Sequence, residues 1–125
     1  MIYYDKYIEA YQRDTAELSL TEHGAYTMLM DAYYLKESPL PSSIETLCRV
    51  CRAFGKAEQQ AVLNVANLFF PIQEDGLRHS KMADAVISEY QDYMNKCKEN
   101  GKKGGRPRSK KSGVFDKIQL LKKKG

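Results

Sequence analysis

The sequence predicts a mainly α-helical winged helix-turn-helix domain with a small β-hairpin, a C-terminal helix and a flexible basic tail. Three segments between residues 20 and 69 carry apolar residues at helical spacing, which indicates three helices. The pair Asp75-Gly76, between two short runs that contain apolar residues, then indicates a hairpin. This order of elements is that of a winged helix-turn-helix. A chain of 125 residues has the length of one ordinary domain, which we place at residues 1–100, with the tail at 101–125.

The N-terminal arm, residues 1–18, is rich in tyrosine, with Tyr3, Tyr4, Tyr7 and Tyr11. It lacks a clean alternation of apolar and polar residues, so we expect an extended segment with at most one short strand or turn. The tyrosines of the chain could stack on nucleic-acid bases. Most of them lie at helical core spacings or in this arm, which favours packing.

The first helix is expected from Leu20 to about Glu37. Ser19 and Glu22 form a capping box, in which a hydroxyl and a carboxylate satisfy the free amides of the first turn. Apolar residues cover most of the circumference, so this helix belongs in the middle of the core. The segment 38–41, with two prolines, ends it.

Two further helices follow. A second capping box at residues 42–45 predicts a short helix over about residues 43–53, with Phe54 facing inward. Gly55 is expected to stop this helix, because glycine accepts the left-handed conformation at little steric cost. A third helix fits residues 56–69, where an apolar arc opposes a polar face.

The hairpin is expected over residues 70–80, with Pro71 confining its first run to an edge. A fourth helix is expected over residues 81–98. Its apolar residues form a narrow seam suited to packing on the body or on another copy of the chain. The seam consists of Met82, Val86, Tyr90, Tyr93 and Cys97.

Charge is distributed unevenly along the chain. Residues 1–100 carry 10 Lys and Arg against 15 Asp and Glu, a net charge of −5, whereas residues 101–125 carry 10 basic residues against Asp116, a net charge of +9. An acidic body with a basic tail indicates a nucleic acid or another acidic surface as partner. The alternative is a tail that serves only solubility. Residues 101–113 cannot build a core and should be flexible in isolation.

The candidate DNA-binding residues come from three places: the second and third helices, the hairpin region and the tail. In a helix-turn-helix the polar face of the third helix enters the major groove, while basic residues around it contact phosphates. The alternative for each is an ordinary solvated side chain or surface charge pair. The set comprises Arg49, Arg52, Lys56, Gln59, Gln60, Asn64, Asn67, Arg78, His79, Lys81, Lys102, Lys103, Arg106, Arg108, Lys110 and Lys111.

The segment Gly105-Arg106-Pro107-Arg108 is similar to the core of an AT-hook, in which Arg-Pro lies in a narrow minor groove. Gly104 stands where such a hook would have an arginine. Generic phosphate binding by the tail is therefore favoured over hook behaviour.

The cysteines and histidines are the residues whose spacing bears on metal and redox chemistry. Cys48 and Cys51 have the C-x-x-C spacing of zinc and redox sites, and Cys97, His79 or His23 could complete a zinc site. No second C-x-x-C or H-x-x-H follows, and a three-residue spacing in a short helix suits core packing. No catalytic constellation stands out, so we predict neither an enzyme nor a metal or cofactor.

The chain has no apolar signal core near its start and no apolar run long enough to span a membrane. Its three cysteines are an odd number, which is typical of reduced thiols. We therefore expect a cytoplasmic protein without a membrane partner.

Six stretches of the sequence carry a family resemblance: 14–15, 18–26, 29–34, 39–41, 75–79 and 99–107. Together they resemble the YdaU-like family of phage and prophage proteins, whose function is largely unknown. The resemblance implies a phage-encoded protein that acts with replication functions and a helicase-loader partner in a bacterial host. Related replication proteins of the DnaD type have winged-helix N-terminal domains that self-associate and bind DNA. Longer members continue beyond the basic run into a C-terminal module.

The expected function is DNA binding, in phage or prophage replication initiation. Two alternatives remain open. One is a transcriptional regulator of the same fold. The other is an interaction module that docks a replication or host protein, or forms a homodimer through the seam of the fourth helix.

Overall fold

The computed structural model describes residues 1–104, and within that range it contains five helices. Met1 and residues 3–88 lie in one compact unit, whereas Ile2 and, among the described residues, 89–104 belong to a second. The last helix runs through the boundary between them. The helices are α1 (Ile8–Asp14), α2 (Leu20–Lys36), α3 (Ile44–Cys51), α4 (Lys56–Phe69) and α5 (Lys81–Gly104).

The core is built where α2, α3 and α4 pack against one another in all three pairs. Helix α2 lies at the centre, as its nearly all-round apolar surface predicts, and its Leu29 and Tyr33 are fully buried. Leu47 of α3 and Val65 of α4 complete the interior. Burial of these side chains supplies the main driving force for folding.

The winged helix-turn-helix prediction is wrong, because residues 1–104 contain no β-strand. The hairpin region forms two isolated bridges, from Arg78 to Leu40 and from Arg78 to Ile72. Arg78 exchanges its backbone hydrogen bonds with Leu40, at 2.9 and 2.8 Å. The bridge to Ile72 is a non-hydrogen-bonded pair, flanked by bonds from the Gln73 amide to the Leu77 carbonyl at 2.9 Å and from the His79 amide to the Pro71 carbonyl at 3.1 Å. Pro71 has no N–H to donate to a ladder. The fold of the described residues is helical.

The predicted turn at Asp75-Gly76 is present without the hairpin. Gln73 and Leu77 close it with a backbone hydrogen bond of 2.9 Å. Gly76 is the one residue of this turn with a positive φ, of 79°. A two-residue hairpin turn at Asp75-Gly76 would need a positive φ at both residues. The observed pattern is that of a longer loop, in which only the final glycine needs the left-handed region.

The predicted helices are confirmed, with changes at their ends. The capping box of Ser19 and Glu22 starts α2, and Ser43 accepts from the Thr46 amide at the start of α3. Helix α4 has the predicted bounds, and α5 runs six residues past the expected end. The arm was expected to be extended, but residues 8–14 form α1, none of whose residues is buried.

The end of α3 differs from its prediction in a way that exposes Phe54. The helix stops at Cys51 because Arg52, not Gly55, takes the left-handed conformation, with a φ of 57°. Gly55 instead has a φ of −102° and precedes the first residue of α4. Phe54 therefore leaves the helical register that would have turned it inward, and 86% of it is exposed.

Candidate nucleic-acid interface

The turn between α3 and α4, residues 52–55, has its backbone held by hydrogen bonds at both ends. The Ala53 amide donates to the Cys48 carbonyl at 2.9 Å. The amides of Phe54 and Gly55 both donate to Glu58 Oε1, at 2.9 and 3.3 Å. A carboxylate is favoured there because it also meets the positive end of the α4 dipole. We call residues 52–56 the α3–α4 turn site.

Exposed cations surround this turn. Arg49 is exposed and pairs with Glu45 across one helical turn at 2.6 Å. Arg52 and Lys56 are also exposed, and neither makes an ion pair with another described residue. An exposed ion pair such as Arg49–Glu45 is worth little and gives way easily. All three cations can therefore meet an anionic partner.

The polar face of α4 is partly used within the protein. Gln60 donates to Asn64 Oδ1 at 2.9 Å, and Asn64 donates in turn to Glu22 Oε2 at 3.1 Å. These two hydrogen bonds connect α4 to the start of α2. Hydrogen bonds from the Ser19 amide and then from Asn64 lower the pKa of Glu22. Gln59 donates to the Ala53 carbonyl at 3.5 Å and remains exposed.

Arg78, predicted to contact phosphate, is buried, with 4% of its surface exposed. Its Nε donates to the Ser42 carbonyl at 3.2 Å, and its Nη1 to Asn67 Oδ1 at 3.3 Å and the Phe70 carbonyl at 3.1 Å. Burial lowers the pKa of the guanidinium. The group ties the end of α4 to the segment before α3, so we leave Arg78 out of the interface.

His79 lies between two carboxylates. Its Nε2 is 2.7 Å from Asp75 Oδ2 and its Nδ1 is 2.8 Å from Asp84 Oδ2. Hydrogen bonds to Asp75, the larger cause, and to Asp84 raise the pKa of His79. The hydrogen bond to His79 in turn lowers the pKa of Asp75. The Tyr33 hydroxyl donates to Asp84, which extends the network into the core. Two neighbouring carboxylates make His79 a poor phosphate contact.

The remaining predicted DNA-binding residues lie at or beyond the start of α5. Lys81 is exposed at the first position of that helix. The backbone at Lys102 and Lys103 is helical, within α5. Arg106, Arg108, Lys110 and Lys111, with the hook-like segment, lie outside the residues that the structure describes.

The cysteines of the C-x-x-C pair are packed in the protein. Cys48 is buried in the core, and the Cys51 thiol lies 3.8 Å from the Ala25 carbonyl. Burial raises the pKa of Cys51 to about 11. Cys97 is exposed on α5. Within residues 1–104, no three His, Cys, Asp or Glu side chains are grouped so as to hold a metal ion.

Two tyrosines of the arm, Tyr4 and Tyr11, pack on α2. Tyr4 stacks on Tyr34 with ring centroids 4.2 Å apart, and its hydroxyl donates to Asp31 at 2.6 Å. Tyr11 lies 5.4 Å from Tyr26. Packing, the favoured interpretation, is confirmed for these four rings. None of the helices in the described range combines the length and apolar character of a transmembrane span.

Sequence reasoning missed the exposed ring of Phe54 and the role of Glu58. Phe54 fits the apolar i, i+3, i+7 spacing of α3, which predicts that it is buried. It is exposed because α3 ends at Cys51, before Phe54 is reached. A signal for Glu58 was present in the sequence. It stands three residues after Gly55, at the N3 position where a carboxylate caps a helix.

These observations define a small helical domain whose unpaired cations and exposed aromatic ring meet at the α3–α4 turn. The chain belongs to the DUF1376 family, a family of proteins of unknown function, whose model matches residues 2–86. No curated protein and no solved structure shows significant similarity to the chain.

Proposed function

We propose that this protein binds DNA through its basic C-terminal segment, residues 101–125, and through the cations of the α3–α4 turn site. The observation that carries the proposal is the segregation of charge. Residues 1–100 carry 10 basic and 15 acidic side chains, a net charge of −5, and residues 101–125 carry 10 and 1, a net charge of +9. A polyanion is repelled by the first part and attracted by the second, so the basic segment governs affinity.

The physical basis is counterion release. Each phosphate that a lysine or arginine neutralises frees condensed cations from the DNA, which favours binding at low salt. This contribution carries no sequence information. Exposed Arg49, Arg52, Lys56 and Lys81 add contacts from folded elements, and such contacts orient the domain on the DNA.

We further propose a YdaU-like phage or prophage protein that acts in replication initiation beside a helicase loader. Support comes from the resemblance of residues 14–41 and 75–79, and from the basic run at 99–107. A regulator of transcription is the alternative. Footprinting separates the two, because an initiator protects an origin and a regulator protects a promoter.

The test is a salt titration of DNA binding by the full chain. A variant with six substitutions replaces the following residues with Gln: Lys102, Lys103, Arg106, Arg108, Lys110 and Lys111. For duplex DNA, log K falls with log salt by about 0.9 per phosphate contact, so the variant's slope should be shallower by up to about 5. Fluorescence anisotropy with a labelled duplex measures both slopes.

The matched control exchanges lysine and arginine at the same six positions and so keeps the charge. It should bind like the wild type if generic phosphate contact dominates. A selective loss on A·T-rich duplexes would indicate minor-groove reading by Arg106 and Arg108. A wild-type chain that binds neither duplex nor single-stranded DNA in dilute buffer would refute the proposal.

Self-association is the second candidate function, and the exposed apolar side chains of the arm favour it. Tyr3, Tyr7 and Ile8 are 65%, 66% and 67% exposed. Exposed apolar surface of this kind is suited to a protein partner. On α5, Tyr93 is 64% exposed. A second copy of the chain could cover either surface.

A further inference from the structure

The ring of Phe54 is the most exposed aromatic side chain among the residues that the structure describes. It is 86% exposed, against 66% for the next, Tyr7. Phenylalanine has no polar atom that water could bond, so its exposure is unfavourable in the isolated protein. A ring held in this position is suited to a flat apolar partner.

The ring projects from a backbone that is already fixed. Glu58 Oε1 accepts from the amides of both Phe54 and Gly55. The Arg52 amide donates to the Arg49 carbonyl at 3.2 Å, which closes the other side. With the backbone held, a partner can stack on Phe54 with little further ordering of the turn.

The charges beside the ring select an anionic partner. Arg52 and Lys56 each stand two residues from Phe54, and two residues span at most about 7 Å. The nearby carboxylates are already engaged, Glu58 by the amides of Phe54 and Gly55 and Glu45 by Arg49. The unpaired charge at the α3–α4 turn site is therefore positive.

We infer that the α3–α4 turn site stacks an unpaired base of single-stranded DNA on Phe54, while Arg52 and Lys56 contact the phosphates on either side. An aromatic platform among cations is the recurring way in which proteins bind single strands without sequence preference. A duplex offers no free base face to the ring, because its bases are stacked on each other. The inference rests on the proposed DNA binding and specifies its strand state.

The test compares Phe54→Ala with wild type in the full chain. The probes are a thymidine oligonucleotide and an abasic oligonucleotide of the same length and charge. Loss of one stacked base corresponds to about 1–3 kcal/mol, or about 5- to 140-fold weaker binding to the thymidine strand. Binding to the abasic strand should not change, and Phe54→Trp should retain thymidine binding.

Leu68→Ala is the matched control, because Leu68 is 67% exposed on α4 and lies outside the turn. It should bind both oligonucleotides like the wild type. Arg52→Gln with Lys56→Gln should reduce the salt slope on single strands by about 1.4, at about 0.7 per contact. Urea unfolding of every variant confirms that the fold is kept.

The outcomes separate the inference from the proposed function. Equal thymidine binding by Phe54→Ala and wild type would overturn the inference and leave DNA binding standing. Equal weakening on thymidine and abasic strands would also overturn it, since the ring would then act without a base. A wild type that binds no DNA would overturn both.

Discussion

At the scale of single residues, chemical type is a poor guide to role in this protein. Arg78 and Arg52 are both arginines next to turns, yet one is buried under three acceptors and the other is exposed. Asn64 and Asn67 look like base-reading side chains, but they bond to Glu22 and Arg78. The role of each polar side chain is therefore set by its burial and by the hydrogen-bond partners that the fold places beside it.

Arg78→Ala should destabilise the domain by about 2–4 kcal/mol. The change leaves the carbonyls of Ser42 and Phe70 without a donor and opens a cavity beside α4. Urea denaturation at neutral pH measures the free energy of unfolding. Lys81→Ala removes an exposed cation nearby in sequence and should cost no more than about 0.5 kcal/mol. Equal stability of the two variants would refute the structural role of Arg78.

The exposure of Phe54 shows where residue-level prediction ended. The sequence indicates the short helix and its apolar face correctly, and Leu47 is buried as expected. The sequence does not indicate that Arg52, rather than Gly55 three residues later, adopts the left-handed conformation. Glu58 accounts for this difference, because its carboxylate accepts a hydrogen bond from the Gly55 amide and so makes Gly55 the N-cap of α4. Both residues must be considered together to place the turn.

At the scale of elements, the turn at residues 73–77 is joined to the start of α5 by side chains. His79 contacts Asp75 in the turn and Asp84 in the helix. Asp84 also accepts from Tyr33 in the last turn of α2. The side chain of His79 therefore links the turn at residues 73–77 to α5, although no pair of β-strands joins them.

This link should make stability depend on pH. The raised pKa of His79 means that its contribution is complete below the ordinary value of about 6.5 and is lost as pH rises through the raised value. The lowered pKa of Asp75 means that its contribution is present above about 3.9 and is lost as pH falls through the lowered value. The link is therefore strongest between about pH 4 and pH 6.5.

The measurement is urea unfolding of wild type and His79→Gln at pH 5.5 and pH 8.5. The stability difference between the two proteins should be larger at pH 5.5. Asp75→Asn removes the main partner, so the effect of His79→Gln should then vary less with pH. A difference that is the same at both pH values would show that His79 contributes by packing alone.

Periodicity and caps predicted the elements better than they predicted the hairpin. Helices α2 and α4 follow from local patterns, in which spacing and capping residues lie within one segment. A strand pair needs donors and acceptors on two segments, and Pro71, opposite His79, has no N–H to return the bond that its carbonyl accepts. Leu40, which bonds to Arg78, is far from it in sequence, so no pattern within residues 70–80 could indicate that contact.

At the scale of the whole molecule, charge is segregated between two parts of the chain. Residues 1–100, which hold the core, carry 15 of the 16 acidic residues, whereas residues 101–125 carry 10 of the 20 basic residues and one acidic residue. The candidate interface was therefore predictable in its basic segment from composition alone. The α3–α4 turn site, with two unpaired cations and one ring, required the fold.

Self-association can be checked on the same full-length protein. If the arm covers a second copy, Ile8→Asp should shift a dimer towards monomer in sedimentation velocity, because it places a charge in an apolar contact. Leu35→Asp is the control, since Leu35 is 71% exposed on another helix. A wild type that is monomeric at every accessible concentration would remove this candidate.

The double hydrogen bond to Glu58 has a kinetic consequence. Because it orders the turn when the protein folds, an arriving strand needs no slow rearrangement of the backbone, and diffusion and long-range attraction set the rate of encounter. On the proposed binding mode, we expect the basic segment, together with Arg52 and Lys56, to govern how often a strand arrives. We expect the ring of Phe54 to govern how long the strand stays bound, so the speed of formation and the lifetime of the complex depend on different side chains.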